Sequence, residues 1–545
     1  MVTYGHGEDD ICHGGAERRD AIRPVMSREQ RREKAFECVG APAPGFGRRV
    51  VASLWAAVAM PYAILALCVP VARAWGLLGR LPVPALAALC ALAGPALIAL
   101  APRLAAPLPE SLDRWFDPGN RKLAALWALG ALVAVVGFTR IAVFLADPSE
   151  VACSLMPENA FIVRHSCLTA YMHGAILSRD SGANVYDLAI VEGAGDHPPP
   201  LPHTAAHFAP FTLDAFGYPP PFLLLPRALL LVTTSFLSQR LLFGALSLAL
   251  ALWSCASVAT VLGGVTGRRV WLLAPIVLAN PLVLVTLQVG NFHLAAVALC
   301  VLCWGALERR RDGLAGALLA LATLAKIFPG MLGVLLLMQR RWRAAAFTCL
   351  AAAALCALSV AVLGVTVWRD FLFYHLPHVQ SGEALRFLAG SPREIAMNLA
   401  PFGVVFKLRA LGLVDWSWAQ ARLVGSVYTG LLVVLTALAA RNNKGGPAHR
   451  LTVWLAVTML ASLRSPYAAP FVATTVVVLL MVLFAEVRAR RHLAVALGAW
   501  VLFSVPTPSS DPQVEIAASL ARLALIYVFL VWAALRRDAV APAPT

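Results

Sequence analysis

The chain alternates between long apolar runs and short polar breaks, with no sustained period of two that would mark strands. A membrane-crossing helix needs about 20 apolar residues. Runs approaching or exceeding that length lie at 50–73, 81–102, 122–146, 241–263, 270–287, 291–307, 344–364, 419–440, 450–464, 466–485, 492–506 and 516–535. Three further apolar segments are too short or too broken to cross: 219–236, interrupted by Pro226, 313–338, interrupted by Lys326 and Pro329, and 395–412. The pattern predicts an all-α polytopic membrane protein with about twelve full spans and three partial or re-entrant helices. Arginines test that count. Arg114/Arg121/Lys122, Arg268/Arg269, Arg309–Arg311, Arg340/Arg341/Arg343, Arg441/Lys444, Arg488/Arg490/Arg491 and Arg536/Arg537 all fall on one side if the broken segments return to the side they left. Basic loops stay cytoplasmic, so both termini are expected inside.

Composition agrees with the pattern. Hydrophobic residues make up 59% of the 545 and charged ones 14%, with mean hydropathy +0.73. Soluble domains carry about 25% charge, and water-soluble globules of this length could not be covered by so little. The net charge of +16 sits in loop clusters and is not interleaved with aromatics, so a nucleic-acid partner is not expected. Several of the 11 cysteines, among them Cys90, Cys255 and Cys300, lie inside apolar runs and show no zinc-finger spacing. Residues 1–49 mix acids with Arg and read as a disordered cytoplasmic tail without a cleavable signal. Residues 50–119 read as two extra N-terminal spans, 120–537 as the main transmembrane domain, and 538–545 as a second cytoplasmic tail.

The outer side then receives two loops, 147–217 and 365–394. The first holds eight acids and five of the twelve histidines. Long polar loops on one face carry function more often than scaffolding does. Within the first loop, 160–178 has apolar residues at mixed helical spacing and predicts an amphipathic helix on the membrane surface. Residues 196–221 are rich in Pro and His and must be extended or turning.

Five strings follow in order: Gly182-Ala183-Asn184-Val185-Tyr186-Asp187, Tyr218-Pro219-Pro220-Pro221-Phe222, Leu287-Gln288-Val289-Gly290-Asn291, Leu324-Ala325-Lys326-Ile327-Phe328-Pro329 and Leu463-Arg464-Ser465-Pro466-Tyr467. Their order and spacing resemble the polyprenol-phosphate-mannose-dependent mannosyltransferases of glycosyltransferase family 87, formerly a domain of unknown function. The resemblance covers roughly 120–537 and rests on strings such as G-x-x-x-Y-D, Y-P-P-L, G-Q-V-N and a late S-P-x-S-W-x-H. It implies a GT-C fold and a polyprenyl-phosphate sugar donor, with mannose as the sugar. It further implies a glycan or glycolipid acceptor and an active site on the outer face of the inner (plasma) membrane. Two departures stand out. The family's D-F-x-x-Y string places an Asp about thirteen residues before the loop glycine; counting back from Gly182 gives Thr169, with His165 and Cys167 near it. The late string continues Ala468-Ala469-Pro470-Phe471, without the Trp and His.

The chemistry needs a base for the acceptor hydroxyl and cations for the departing phosphate. Asp147 and Glu158, at the start of the first loop, are the expected carboxylates, with His165 as the alternative base. Lys326 inside the apolar hairpin and Arg464 beside a span are the expected phosphate ligands, because a lone cation in apolar sequence calls for a partner. Tyr186, Asp187, Tyr218, Gln288 and Asn291 are the expected substrate contacts, though Asp187 could cap a turn and Gln288 and Asn291 could cap a helix. His203 and His207 share metal-pair spacing but lie among prolines, so no metal is expected, and no nucleotide or other cofactor motif appears. A transporter or lipid flippase, or a non-catalytic relic of the same fold, remains the rival reading. The absence of two repeated halves speaks against transport.

Overall fold

The computed structural model describes residues 46–77, 82–100, 121–180, 184–187, 206–381, 383–385, 388, 392–443, 445–486, 490–504 and 511–536. Among them there is no strand. The chain opens with α1 (Phe46–Ala74), α2 (Val83–Leu100) and α3 (Arg121–Ala146), the last followed by the first loop with its short helices α4 (Ala160–Arg164) and α5 (Leu168–Asp180). The next stretch runs through α6 (Leu224–Val232), α7 (Phe236–Leu262), α8 (Gly264–Leu278), α9 (Pro281–Gln288) and α10 (His293–Glu308). The broken hairpin is α11 (Asp312–Lys326) and α12 (Met331–Met338), joined by a 3₁₀ turn at Phe328–Gly330, and α13 (Trp342–Leu363) returns from it. The second loop carries α14 (Val365–Asp370), α15 (Leu376–Ser381) and α16 (Pro392–Met397). The chain closes with α17 (Pro401–Ala410), α18 (Trp418–Asn442), α19 (Pro447–Ser462), α20 (Thr474–Glu486), α21 (Arg490–Ser504) and α22 (Pro512–Leu535).

Six helices, α1, α3, α7, α13, α18 and α22, are long and apolar enough to cross a membrane alone; α8 and α9 together make a seventh bent by 61°. The remaining expected spans are shorter helices such as α10, so the count of twelve does not follow from helix length. The three segments expected to be broken are broken. Prolines set several starts: Asn280 caps α9 with Pro281 at its first position, and Asp511 does the same for α22 ahead of Pro512.

The bundle sorts its helices by burial. Every residue of α10 from His293 to Leu307 is buried, as are nearly all of α19 and α20, so these apolar-all-round helices form the centre. In α13 and α18 few residues are buried, and Leu350, Leu358, Leu423 and Leu431 are exposed, as on helices facing lipid. Two ion pairs mark one end of this bundle. Glu308 at the end of α10 meets Arg450 near the start of α19 at 2.5 Å, and Glu486 at the end of α20 meets Arg536 past α22 at 2.8 Å. The beginning of α10 and the end of α19 lie at the opposite end, where the two loops sit.

One local expectation is corrected. The stretch 160–178 is not a single amphipathic surface helix. It breaks at His165–Cys167, where the backbone extends and the Cys167 amide donates to Val289 O at 2.8 Å. Leu168 and Ala170–Ala175 in α5 are buried on all sides. Packing against the Tyr218 turn and the start of α10 has replaced the lipid surface.

Candidate active site

The site is assembled where α9 ends. Gly290 adopts φ +67, and a Cβ there would stand 3.3 Å from Leu168 Cβ, so a glycine lets the first loop approach closely. Gln288, fully buried, holds that loop with its whole amide: Oε1 accepts from Leu155 N at 2.7 Å, and Nε2 donates to Ser154 Oγ at 2.9 Å and Ile162 O at 3.1 Å. Asn291 accepts from His293 N at 2.9 Å, which caps α10, and donates from Nδ2 to Cys167 Sγ at 3.2 Å. These two residues, expected at the substrate, are turned inward and shape the loop.

The loop so held carries a chain of polar groups. The backbone returns at Thr212, whose amide donates to Arg164 O at 2.9 Å, and the Asp214 amide donates to Thr169 Oγ1 at 3.1 Å. This return sets the Asp214 carboxylate 3.4 Å from His165 Nδ1, while His165 Nε2 faces Cys167 Sγ at 3.4 Å. Phe161 stacks on the imidazole at 4.8 Å. Burial alone would depress the His165 pKa. The Cys167 sulfur and the carboxylates of Asp214 and Glu394 outweigh it and push the ring up to about 9, so the imidazole is cationic at neutral pH. Burial raises the Asp214 carboxyl, and the imidazolium offsets part of that rise.

A second set of groups lies next along the chain of contacts. Phe292 N, adjacent to Asn291, donates to Tyr171 OH at 3.3 Å; Tyr171 OH meets Tyr218 OH at 2.9 Å; and Lys326 Nζ donates to Tyr218 OH at 2.9 Å while standing 4.7 Å over its ring. The break between α11 and the Pro329 turn delivers Lys326 here, half-buried and partnered. Tyr186 is buried. Its hydroxyl donates to Tyr218 O at 2.8 Å and its ring stacks on His375 at 4.8 Å, while Asp187 accepts from Tyr374 OH at 3.3 Å. The Asn184–Asp187 turn therefore pins the Tyr218 segment to the second loop; Gly182 lies outside the described residues.

The late string closes the site from the other side. Asn398 accepts from Ala468 N at 3.0 Å and donates to Pro466 O at 2.9 Å, and Tyr467 OH donates to Glu394. Glu394, on α16, faces the His165 ring electrostatically.

Not every expected residue arrives. Asp147 accepts from Ser149 N at 3.0 Å and Ser149 Oγ at 2.6 Å, a turn of its own at the end of α3. Glu158 is exposed. Arg464 is exposed and its Nε donates to Thr429 Oγ1 at 3.2 Å on α18. His203 lies outside the described residues. The group that sequence reasoning passed over is Asp214, one acid among eight in the loop. Tyr171 lies four residues after Cys167, the spacing of the D-F-x-x-Y string. Asp214 supplies a carboxylate close to Cys167.

Bundle and broken hairpin define a polytopic all-helical membrane protein. Residues 216–466 match the model of glycosyltransferase family 87, and this family region, a little under half of the chain, makes the protein a membrane glycosyltransferase. Tyr218, Gln288, Asn291 and Lys326 fall inside it, and His165, Cys167, Tyr171 and Asp214 precede it. No curated protein and no solved structure matches the chain.

If Gln288 holds the first loop, Gln288→Leu strands three partners, the buried Ser154 hydroxyl and the half-buried Leu155 amide and Ile162 carbonyl. Each such loss costs about 1–3 kcal/mol. The variant should expose the 150–165 segment to limited proteolysis at protease levels that leave the wild type intact, with the helical circular dichroism unchanged.

Proposed function

We propose that the protein moves mannose from a polyprenyl-phosphate donor to a glycan or glycolipid acceptor at the outer face of the inner (plasma) membrane. The observation that carries this reading is the meeting of two polar sets, Asp214–His165–Cys167–Asn291 and Phe292 N–Tyr171–Tyr218–Lys326, at the adjacent residues Asn291 and Phe292. A transfer from a lipid phosphate needs an anion-stabilising cation at one end and a proton acceptor at the other.

Lys326 supplies the cation. It ends the first arm of a hairpin embedded in apolar sequence, where a prenyl chain has its natural solvent, and phosphate can take the place of Tyr218 as its acceptor. Asp214 takes the acceptor proton as the hydroxyl oxygen attacks the anomeric carbon and the bond to the phosphate oxygen breaks. His165, already protonated, is a positioning residue: it keeps the carboxylate ionised and aimed. This moves the base from Asp147 or Glu158, which stand apart from the cluster, to Asp214. The outer location is supported by Arg450 and Arg536, which meet Glu308 and Glu486 at the far end of the bundle.

With a prenyl-phosphate mannose donor and membrane-extracted acceptor, Asp214→Asn should lower transfer about 10²–10⁴-fold, the usual cost of losing a general base. Asp147→Asn and Glu158→Gln should stay near the wild-type rate, and Lys326→Met should raise the donor KM. Full activity in Asp214→Asn with loss in Asp147→Asn would return the role to Asp147. For orientation, single cysteines replacing Gln380 and Arg310 on a Cys-free background should behave oppositely in intact cells. The first should react with an impermeant maleimide and the second should not; labelling of the second alone would invert the topology.

A further inference from the structure

The cluster that the transfer uses has a second capacity. His165 leaves α4 in extended backbone, Cys167 lies in the turn that opens α5 with its Sγ 3.4 Å from His165 Nε2, and the fold adds Asp214. One nitrogen, one sulfur and one carboxylate oxygen from these three lie within 4.8 Å of one another, and among the described residues no other group of three His, Cys or acidic side chains comes together in this way. We propose that His165, Cys167 and Asp214 form a binding site for a divalent cation of the zinc class, and that the ion, when bound, blocks transfer.

The donor set selects the ion. Imidazole nitrogen, thiol sulfur and one carboxylate oxygen suit zinc and its neighbours, whereas magnesium and calcium want oxygen ligands throughout. Zinc is held at catalytic sites by three protein ligands with water in the fourth position, so three ligands suffice to bind it. Zinc–nitrogen and zinc–sulfur bonds of about 2.0 and 2.3 Å at a tetrahedral angle place the two ligand atoms about 3.5 Å apart. Nε2 and Sγ already stand 3.4 Å apart.

The outer groups fit the same role. Asn291 Nδ2 donates to the sulfur at 3.2 Å, the Cys167 amide is fixed on Val289 O, and Phe161 fixes the ring plane by stacking. An ion can take one ring nitrogen. With Nε2 and Sγ as the standing edge, Asp214 must leave Nδ1 and swing onto the metal, and its side chain, 31% exposed, has room to do so. Whatever protons Nε2 and Sγ carry are released to water as the ion binds. The inhibitory part rests on the assignment of Asp214 as base, because a carboxylate on the metal is no longer available to the acceptor. The binding part does not.

The test uses the full chain in detergent, titrated with Co²⁺ as the spectroscopic stand-in for zinc. The expected result is a thiolate-to-cobalt charge-transfer band that saturates at one equivalent, is erased by Zn²⁺ and survives excess Mg²⁺. The chain holds 11 cysteines, so Cys167→Ser assigns the band: it should disappear, and Asp214→Asn should weaken Co²⁺ binding by about 10-fold or more. Thermal unfolding of both variants checks that they are folded. No saturable band in the wild type, a band that persists in folded Cys167→Ser, or displacement by Mg²⁺ would overturn the site. Transferase activity is read in parallel. Loss with Zn²⁺ and recovery with a chelator supports the block. Saturation of the band with transfer unaffected would keep the site and overturn the role of Asp214 as base.

Discussion

The structure depends on a buried guanidinium. Arg240, on α7, has 1% of its surface exposed and no carboxylate partner among its contacts. It donates to Phe144 O at 2.9 Å and Gln288 O at 2.8 Å, and lies 4.9 Å and 4.3 Å from the centres of the Phe144 and Phe211 rings. Burying such an ion is costly unless acceptors surround it. Here the acceptors are carbonyls at the C-terminal ends of α3 and α9, where the helix dipoles are negative, with two ring faces in support. One cation therefore fixes the ends of the two helices that bear the first loop and its clamp, and Phe211, three residues before Asp214, packs onto the same group. Everything from Gln288 to the His165–Asp214 pair hangs from that arrangement.

The N-terminal pair α1 and α2 belongs to the same construction. It precedes the family region, yet α1 packs on α3 and α7, and its Arg73 donates to Ala146 O at the end of α3 and to Ser238 Oγ at 3.3 Å. Two arginines from two helices thus stabilise the last turn of α3. This pair acts on the site by fixing its root, and among the described residues none of its groups enters the polar cluster.

The parts of this that the sequence disclosed are those with local causes. The broken hairpin was legible because Lys326 and Pro329 cannot continue an apolar helix, and the bundle was legible from hydropathy. The Tyr218 and Gln288–Asn291 strings marked the right places, although Gln288 and Asn291 serve the loop. What stayed hidden depends on contacts distant in sequence. The break at 165–167 was masked by helical spacing on both sides and is held by Val289, more than a hundred residues on. Asp214 looked like any acid in a Pro-rich stretch, because its place is set by Thr169 and Arg164. Helix length was the other weak point. Short helices such as α10 are apolar all round because they are enclosed by protein, and hydropathy does not separate that from enclosure by lipid.

The central claim is that the reaction runs between Lys326 and Asp214. It is tested most directly by a structure of the full chain with a non-hydrolysable prenyl-phosphate sugar and an acceptor analogue. The account predicts the phosphate within hydrogen-bond distance of Lys326 Nζ, with Tyr218 displaced, and the acceptor hydroxyl on the Asp214 carboxylate. A phosphate held by Arg464, or an acceptor hydroxyl on Asp147, would contradict it.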